Sequence, residues 1–231
     1  MTTPRTPTAT AALLALGALA YSAWAWEAVL TTGLPPAHTY VSELAAADQP
    51  YGALFRTTDL LAGVLVAAAV LSPLRPPPAG GRAAWAGRAG LLLFGAATAV
   101  DSRLPLGCTP TTNPACAAQE RAGTLPWTHS AHTVSSTVAL CGILVAMVVL
   151  TRTARWGPAL VALELAATVW TLAAIAALES GHDGWGVGVA QRLQVGVIAI
   201  WLGAQAVSSV RARGPATRAA VRAPAPDAAR P

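Results

Sequence analysis

Six stretches of this chain are each long and apolar enough to cross a lipid bilayer: roughly Ala9–Thr31, Tyr51–Leu74, Ala83–Ser102, Thr128–Leu150, Trp156–Leu178 and Gly184–Val207. A hydrocarbon core about 30 Å thick takes about 20 helical residues to span. A segment in that core must satisfy its own backbone hydrogen bonds, which a helix does alone, and the strand alternation of a membrane barrel is missing here. The expected fold is therefore an all-α integral membrane protein, a bundle of six transmembrane helices. Composition agrees: only 11% of the residues are charged and 54% are hydrophobic, whereas a water-facing globular domain carries about a quarter charged residues.

The first window exceeds the about 7–15-residue core of a cleavable signal peptide and runs into Trp24, Trp26 and Glu27 with no clear small-residue cleavage site, so it reads as a retained span. The expected organisation is a short cytoplasmic N-terminus over residues 1–8, a single six-span membrane domain over 9–208, and a disordered Arg/Pro/Ala-rich cytoplasmic tail over 209–231. That tail lacks the apolar periodicity to fold alone, and its Arg residues suit anionic lipid.

Orientation follows from the placement of Arg. The N-terminus, the second and fourth loops and the tail carry ten Arg, whereas the first, third and fifth loops carry only Arg56, Arg103 and Arg121. The positive-inside rule then puts both termini in the cytoplasm and the odd-numbered loops outside. The net charge of +5 is spread over short loops and the tail, with no basic face interleaved with aromatics, which argues against a nucleic-acid partner. All fifteen basic residues are Arg, as a GC-rich coding sequence would produce. In the third loop Cys108 and Cys116 form a C-x7-C pair that an oxidising exterior would let close into a disulfide. Cys141 reads as a small buried apolar group inside the fourth span.

With that orientation all four histidines and most acids fall at the outer end. In the stretch LPWTHSAHTVSSTVAL, Thr128 suits a helix cap, so His129 and His132 lie on the first turn and share a stripe with Ser136. The pair is a candidate for metal ligation, zinc being the natural ion, with Asp101 or His182 as further ligands. Proton transfer by Asp101, His129 and His132 in hydrolysis or group transfer, pH sensing, and simple anchoring of loops are the competing readings. Asp101, following the run GLLLFGAATAV, needs a partner at that depth, with His129, His132 and Arg192 in reach. A Ser/His/Asp arrangement through Ser102 or Ser136 is compatible with the composition but lacks a nucleophile elbow.

Arg192, with Gln191 and Gln194, is placed about 10–15 Å below the outer end of the sixth span at 1.5 Å per residue. A guanidinium there must pair or line a wet cavity. Glu27, Asp59 and Asp101 are its candidate partners, and the alternatives are a buried ion pair or an anion clamp for a ligand head group. The first loop reads as a lid over the outer mouth: Ser42 caps a short helix to Ala47, and Glu43 either reaches the histidines or faces water. On the inner side Arg88 and Glu164 are candidates for a structural ion pair.

Taken in order, these features resemble a known family. Ser42-Glu43-Leu44 in the first loop, Phe55, Asp59 and Gly63 in the second span, Asp101-Ser102-Arg103 with Pro105 and Cys108 after the third, a histidine opening the fourth, and Gly188, Gln191 and Arg192 in the sixth are similar to the bacterial six-span proteins of domain of unknown function 998. The resemblance implies the six-span fold, a bacterial plasma membrane and a set of site residues, but no reaction. A looser likeness to membrane hydrolases of the alkaline ceramidase and adiponectin-receptor type breaks down on six spans in place of seven and on the missing H-x-x-x-H of the last span. The sequence therefore points to a lipid or amphipathic ligand held by Glu43, Asp59, Gln191 and Arg192, with metal-dependent hydrolysis or transfer at Asp101, His129 and His132 if there is chemistry. The alternatives are a non-catalytic membrane subunit or sensor, and a proton-linked transporter, against which stands the lack of a polar path through spans one, four and five.

Overall fold

The computed structural model describes residues 6–72, 81–151 and 156–211. Among these residues there are seven α-helices and no strand: α1 (Thr6–Tyr21), α2 (Gly52–Leu71), α3 (Gly81–Asp101), α4 (Pro114–Arg121), α5 (Trp127–Leu150), α6 (Gly157–Glu179) and α7 (Val187–Arg211). Six of them, all but α4, lie in segments long and apolar enough to span a membrane. The residues at either end of the chain, and the loop arginines Arg75, Arg152 and Arg155, lie outside the described residues.

Two elements differ from the sequence reading. The first span ends its α-helix at Tyr21 and continues as a 3₁₀ helix over Ala23–Ala28. The Ser22 hydroxyl donates back to the Ala18 carbonyl at 2.8 Å, a competing bond of the kind that bends helices. In the third loop, α4 was not expected. Its start is nevertheless written in the sequence: Asn113 accepts from the backbone N–H groups of Ala115 and Cys116 at 3.0 and 3.2 Å, and Pro114 occupies the first helical position. Cys116 on this helix is disulfide-bonded to Cys108.

Neighbouring helices follow one another round an arc in the order α5, α3, α2, α1, α7, α6, and the two ends of the arc, α5 and α6, touch only sparsely. Glycine sets the tight part. A Cβ on Gly63 would fall 2.5 Å from both the Gly95 carbonyl oxygen and the Ala99 nitrogen, and one on Gly90 would fall 2.6 Å from the Gly142 carbonyl oxygen. Helices α2, α3 and α5 thus meet backbone to backbone, as small residues permit in membranes, where packing replaces the hydrophobic drive. The core inside the arc is built on Leu14, Val66, Phe94, Ile143, Met147 and Trp201. The Trp201 indole donates to the Thr151 hydroxyl at 2.8 Å, so its one polar atom is satisfied. Cys141, expected to be buried, is exposed on the lipid-facing side of α5.

Candidate functional site

The first, third and fifth loops gather at one end of the bundle, and there the close approach of α2, α3 and α5 brings three polar positions together. Asp59 lies one turn before Gly63, Asp101 closes α3, and His132 sits in the second turn of α5. The His132 Nδ1 is 3.1 Å from the Leu104 carbonyl oxygen and 3.2 Å from Asp101 Oδ1. Both neighbours are acceptors, so the proton is assigned to Nδ1 and the Nε2 lone pair is left free. Ser135 donates to Asp101 Oδ1, and Ser136 donates to Oδ2 at 3.1 Å while lying 3.4 Å from His132 Nε2. Asp101 is therefore held by two serines and the imidazole, and His132 is its partner among the three the sequence allowed.

His129 is directed elsewhere, although it is only three residues away. Its Nδ1 accepts from the Gly107 N–H at 3.2 Å and its Nε2 donates to Glu120 at 3.0 Å. Both ring nitrogens are occupied, which anchors the third loop on α5. The helix starts one residue before Thr128, with Pro126 at the cap position, so Thr128 is not the cap. His182 is exposed on the loop after α6, and His38 is exposed in the first loop. Among the described residues no group of three or more His, Cys, Asp or Glu is placed to hold a metal ion. The set His129, His132, Asp101 and His182 is thus not gathered on one point, because the two α5 histidines turn to different partners, His129 to Gly107 and Glu120 and His132 to Asp101 and Leu104.

Arg192 is the most completely bonded side chain at this end. Its Nε and Nη2 donate to the two Glu27 carboxylate oxygens, each at 2.6 Å, and its Nη1 donates to the Thr39 and Gly188 carbonyls at 2.9 and 3.0 Å. Four of the five N–H groups of a guanidinium are used. Gly188 makes this possible, since a Cβ there would fall 2.1 Å from the Pro36 carbonyl oxygen and 2.6 Å from that of Thr39. The 3₁₀ break after Tyr21 is what brings Glu27 to α7. Because α7 begins at Val187, Arg192 is about 7 Å along the helix, shallower than the sequence windows implied.

The first loop does cover this end, but its cap and its acid differ from expectation. The helix is a 3₁₀ turn over Val41–Ala45, begun by Tyr40 and not Ser42. Glu43 reaches neither water nor a histidine. It is fully buried, accepts from the Tyr40 N–H at 2.9 Å and the Thr111 N–H at 2.8 Å, and takes the Thr111 hydroxyl as well. Burial pushes its carboxyl above the ordinary range, against the pull of those three donors. Burial likewise raises the Tyr40 phenol. The lid is fastened at two more points: Gln191 Oε1 accepts from the Val41 N–H at 2.8 Å, and Arg56 Nη1 donates to the Ala45 and Ala46 carbonyls at 2.7 and 3.3 Å.

Beneath the lid is a cavity of about 370 Å³. Asp59, Asp101, His132, Ser136 and Arg56 line its polar part, and Leu140, Leu172 and Ile175 line its side where α5 and α6 barely meet. Asp59 has no hydrogen bond or ion pair within the described residues. The sequence reading missed Ser135, Arg56, Thr171 and Trp24. A lone polar residue on an apolar helix carries no periodic signal, and only the helix rotation shows which way it faces. At the other end of the bundle the candidate pair of Arg88 and Glu164 does not form. Arg88 donates to the Val70 carbonyl at 3.2 Å and lies over the Trp85 ring, while both Glu164 oxygens are buried without a hydrogen-bond partner.

In a comparison with known families, the model described as protein of unknown function (DUF998) matches residues 14–208. Comparisons with curated proteins and with solved structures give no match.

Proposed function

The chain belongs to the DUF998 family, multi-pass membrane proteins of unknown function, and from its geometry we propose that it binds a lipid or other membrane amphiphile in the cavity beneath the lid. The observation that carries this reading is the shape of the cavity: one space joins a polar cluster to a sparse, apolar seam that opens toward the bilayer. Leu172, on that seam, is 57% exposed on the lipid-facing surface and also lines the cavity. A head group rests among Asp59, Asp101, His132 and Ser136, and the tail leaves between α5 and α6. The volume suits this, since ligand sites occupy about 300–1,000 Å³ and combine apolar walls with a few polar groups. With the odd loops outward in a bacterial plasma membrane, as Arg placement favours, the site faces the exterior leaflet.

A second reading, hydrolysis or group transfer at the same place, draws on one feature. Leu104 holds the His132 Nδ1 proton, so Nε2 faces Ser136 and the cavity as a base. Neither reading uses Arg192 as a clamp, since Glu27 already occupies it.

The test is equilibrium binding of dodecyl maltoside to protein reconstituted in nanodiscs, comparing the parent with Ala139→Trp, which fills the cavity from α5. Saturable one-site binding that weakens by about tenfold or more, a loss of about 1.4 kcal/mol, is the expected result when circular dichroism shows both proteins folded. Identical, non-saturating partition into both would overturn the reading. Turnover of ester-bearing amphiphiles lost in a folded His132→Ala variant would favour the second reading.

A further inference from the structure

The charges lining the cavity run against those of the chain. The protein is formally +5, yet the cavity carries the acids Asp59, Asp101, Glu120 and Glu179 against the single arginine Arg56, with His132 the one further titratable base. Both cations that sequence and structure place near a ligand are already answered by protein acceptors. Arg192 is closed by Glu27, and Arg56 is turned to the lid carbonyls of Ala45 and Ala46. Asp59 is not answered: it faces the cavity with no donor, close enough to Asp101 for their charges to interact.

The walls carry a second, independent signal. The chain has only two Phe and three Tyr, and Phe55, Phe94, Tyr21 and Tyr40 all line this one space together with Trp24. Tyr21 and Phe94 meet edge to face with ring centroids 5.3 Å apart. Two residues of the lining each hold a buried polar atom without a partner, the indole N–H of Trp24 and the hydroxyl of Thr171, a residue only 5% exposed. A buried donor left unmet is costly, so such atoms mark the position of a missing ligand atom. Aromatic faces beside carboxylates attract a cation through the ring quadrupole, most strongly for a weakly hydrated ammonium.

We infer that the polar end of the cavity is built for a cationic, ammonium-bearing head group, with Asp59 as its principal counter-charge and the aromatic side chains as its walls. The inference rests on the amphiphile reading above and adds the charge of the ligand. Asp101, already held by Ser135 and Ser136, supplies a second negative charge, while Thr171 and Trp24 answer the uncharged polar atoms next to the ammonium.

The test uses three probes with one tail, dodecyltrimethylammonium, dodecyl phosphate and dodecyl maltoside, titrated against nanodisc-embedded protein and its Asp59→Asn variant. The ammonium probe is expected to bind about tenfold or more tighter than the phosphate, the scale of one desolvated cation–π or ion-pair contact. Asp59→Asn is expected to remove that preference by weakening the ammonium probe far more than the maltoside probe. Equal binding of all three probes, or a preference for phosphate that Arg56→Gln removes, overturns the cationic assignment while leaving the amphiphile site standing. Saturable binding of none overturns both.

Discussion

Two charged centres lie within the same end of this bundle, and they are built on opposite principles. Arg192 and Glu27 form a closed unit: two bonds of 2.6 Å between them, two more to backbone carbonyls, and side chains 10% and 6% exposed. The cluster on α2, α3 and α5 is open: His132 Nε2 has only Ser136 beside it, at 3.4 Å, Asp59 has no hydrogen-bond or ion-pair partner among the described residues, and Thr171 and Trp24, which line the same cavity, each keep a buried polar atom without a partner. A charge buried with every bond answered holds a fold together, whereas a set of buried polar groups with bonds to spare is arranged around something absent. Arg192 drew most weight in the sequence because it is the harder charge to bury. The geometry shifts that weight to the less conspicuous Asp59.

The contrast is broken most directly by Arg192→Met. Removing one partner of a buried pair leaves an unanswered carboxylate, so a loss of about 3–5 kcal/mol is expected, read as thermal unfolding by circular dichroism in detergent. The double variant Arg192→Met with Glu27→Leu should recover most of the loss. A double variant as unstable as the single one would mean that the carbonyl bonds to Thr39 and Gly188, and not the ion pair, carry the closed unit.

Gly63→Val comes next and acts on what places the open cluster. Its Cβ meets backbone atoms at 2.5 Å, so α2 and α3 must separate, at a cost of about 1–3 kcal/mol. Asp59 moves with them, and amphiphile binding should weaken more than unfolding alone explains. Binding that tracks the folded fraction would uncouple the glycine contact from the site.

Asp59→Asn should change stability by less than about 1 kcal/mol, because no protein bond to Asp59 is lost and a buried charge is removed. A fall as large as that of Arg192→Met would place Asp59 in the closed class. The smallest effect belongs to Glu43 in the lid. Its carboxyl is raised in the folded protein by burial, so its contribution is fully present below the unfolded value and is lost as pH rises through the folded one. Stability should therefore decline across that window, and Glu43→Gln should flatten the decline. An unchanged pH slope in Glu43→Gln would assign the dependence to other groups.

The bundle was legible in the sequence because each span has to satisfy its own backbone in lipid, and length and hydropathy express that directly. What stayed hidden depended on rotation and bending. The 3₁₀ break after Tyr21 decides that Glu27, among three acids considered, meets Arg192. The rotation of α5 sends His129 to Glu120 and Gly107 but His132 to Asp101 and Leu104, so the histidines share a helix and not a site. The pairing of Asp101 with His132 was within reach because both lie at the same end of adjacent spans. The separation of Arg88 from Glu164 was not, since equal depth says nothing about which faces look at each other.

The sparse contact of α6 with α5 also bears on the order in which the protein is made. Chains emerge from the ribosome N-terminus first, so α1, α2, α3 and α5 meet their partners as they arrive. Helix α6 is packed mainly on α7, which follows it. It must therefore wait in the membrane with only a sparse dock on α5 until α7 is inserted. That span also brings Arg192 to Glu27, so a single event fastens both α6 and the first span to α7.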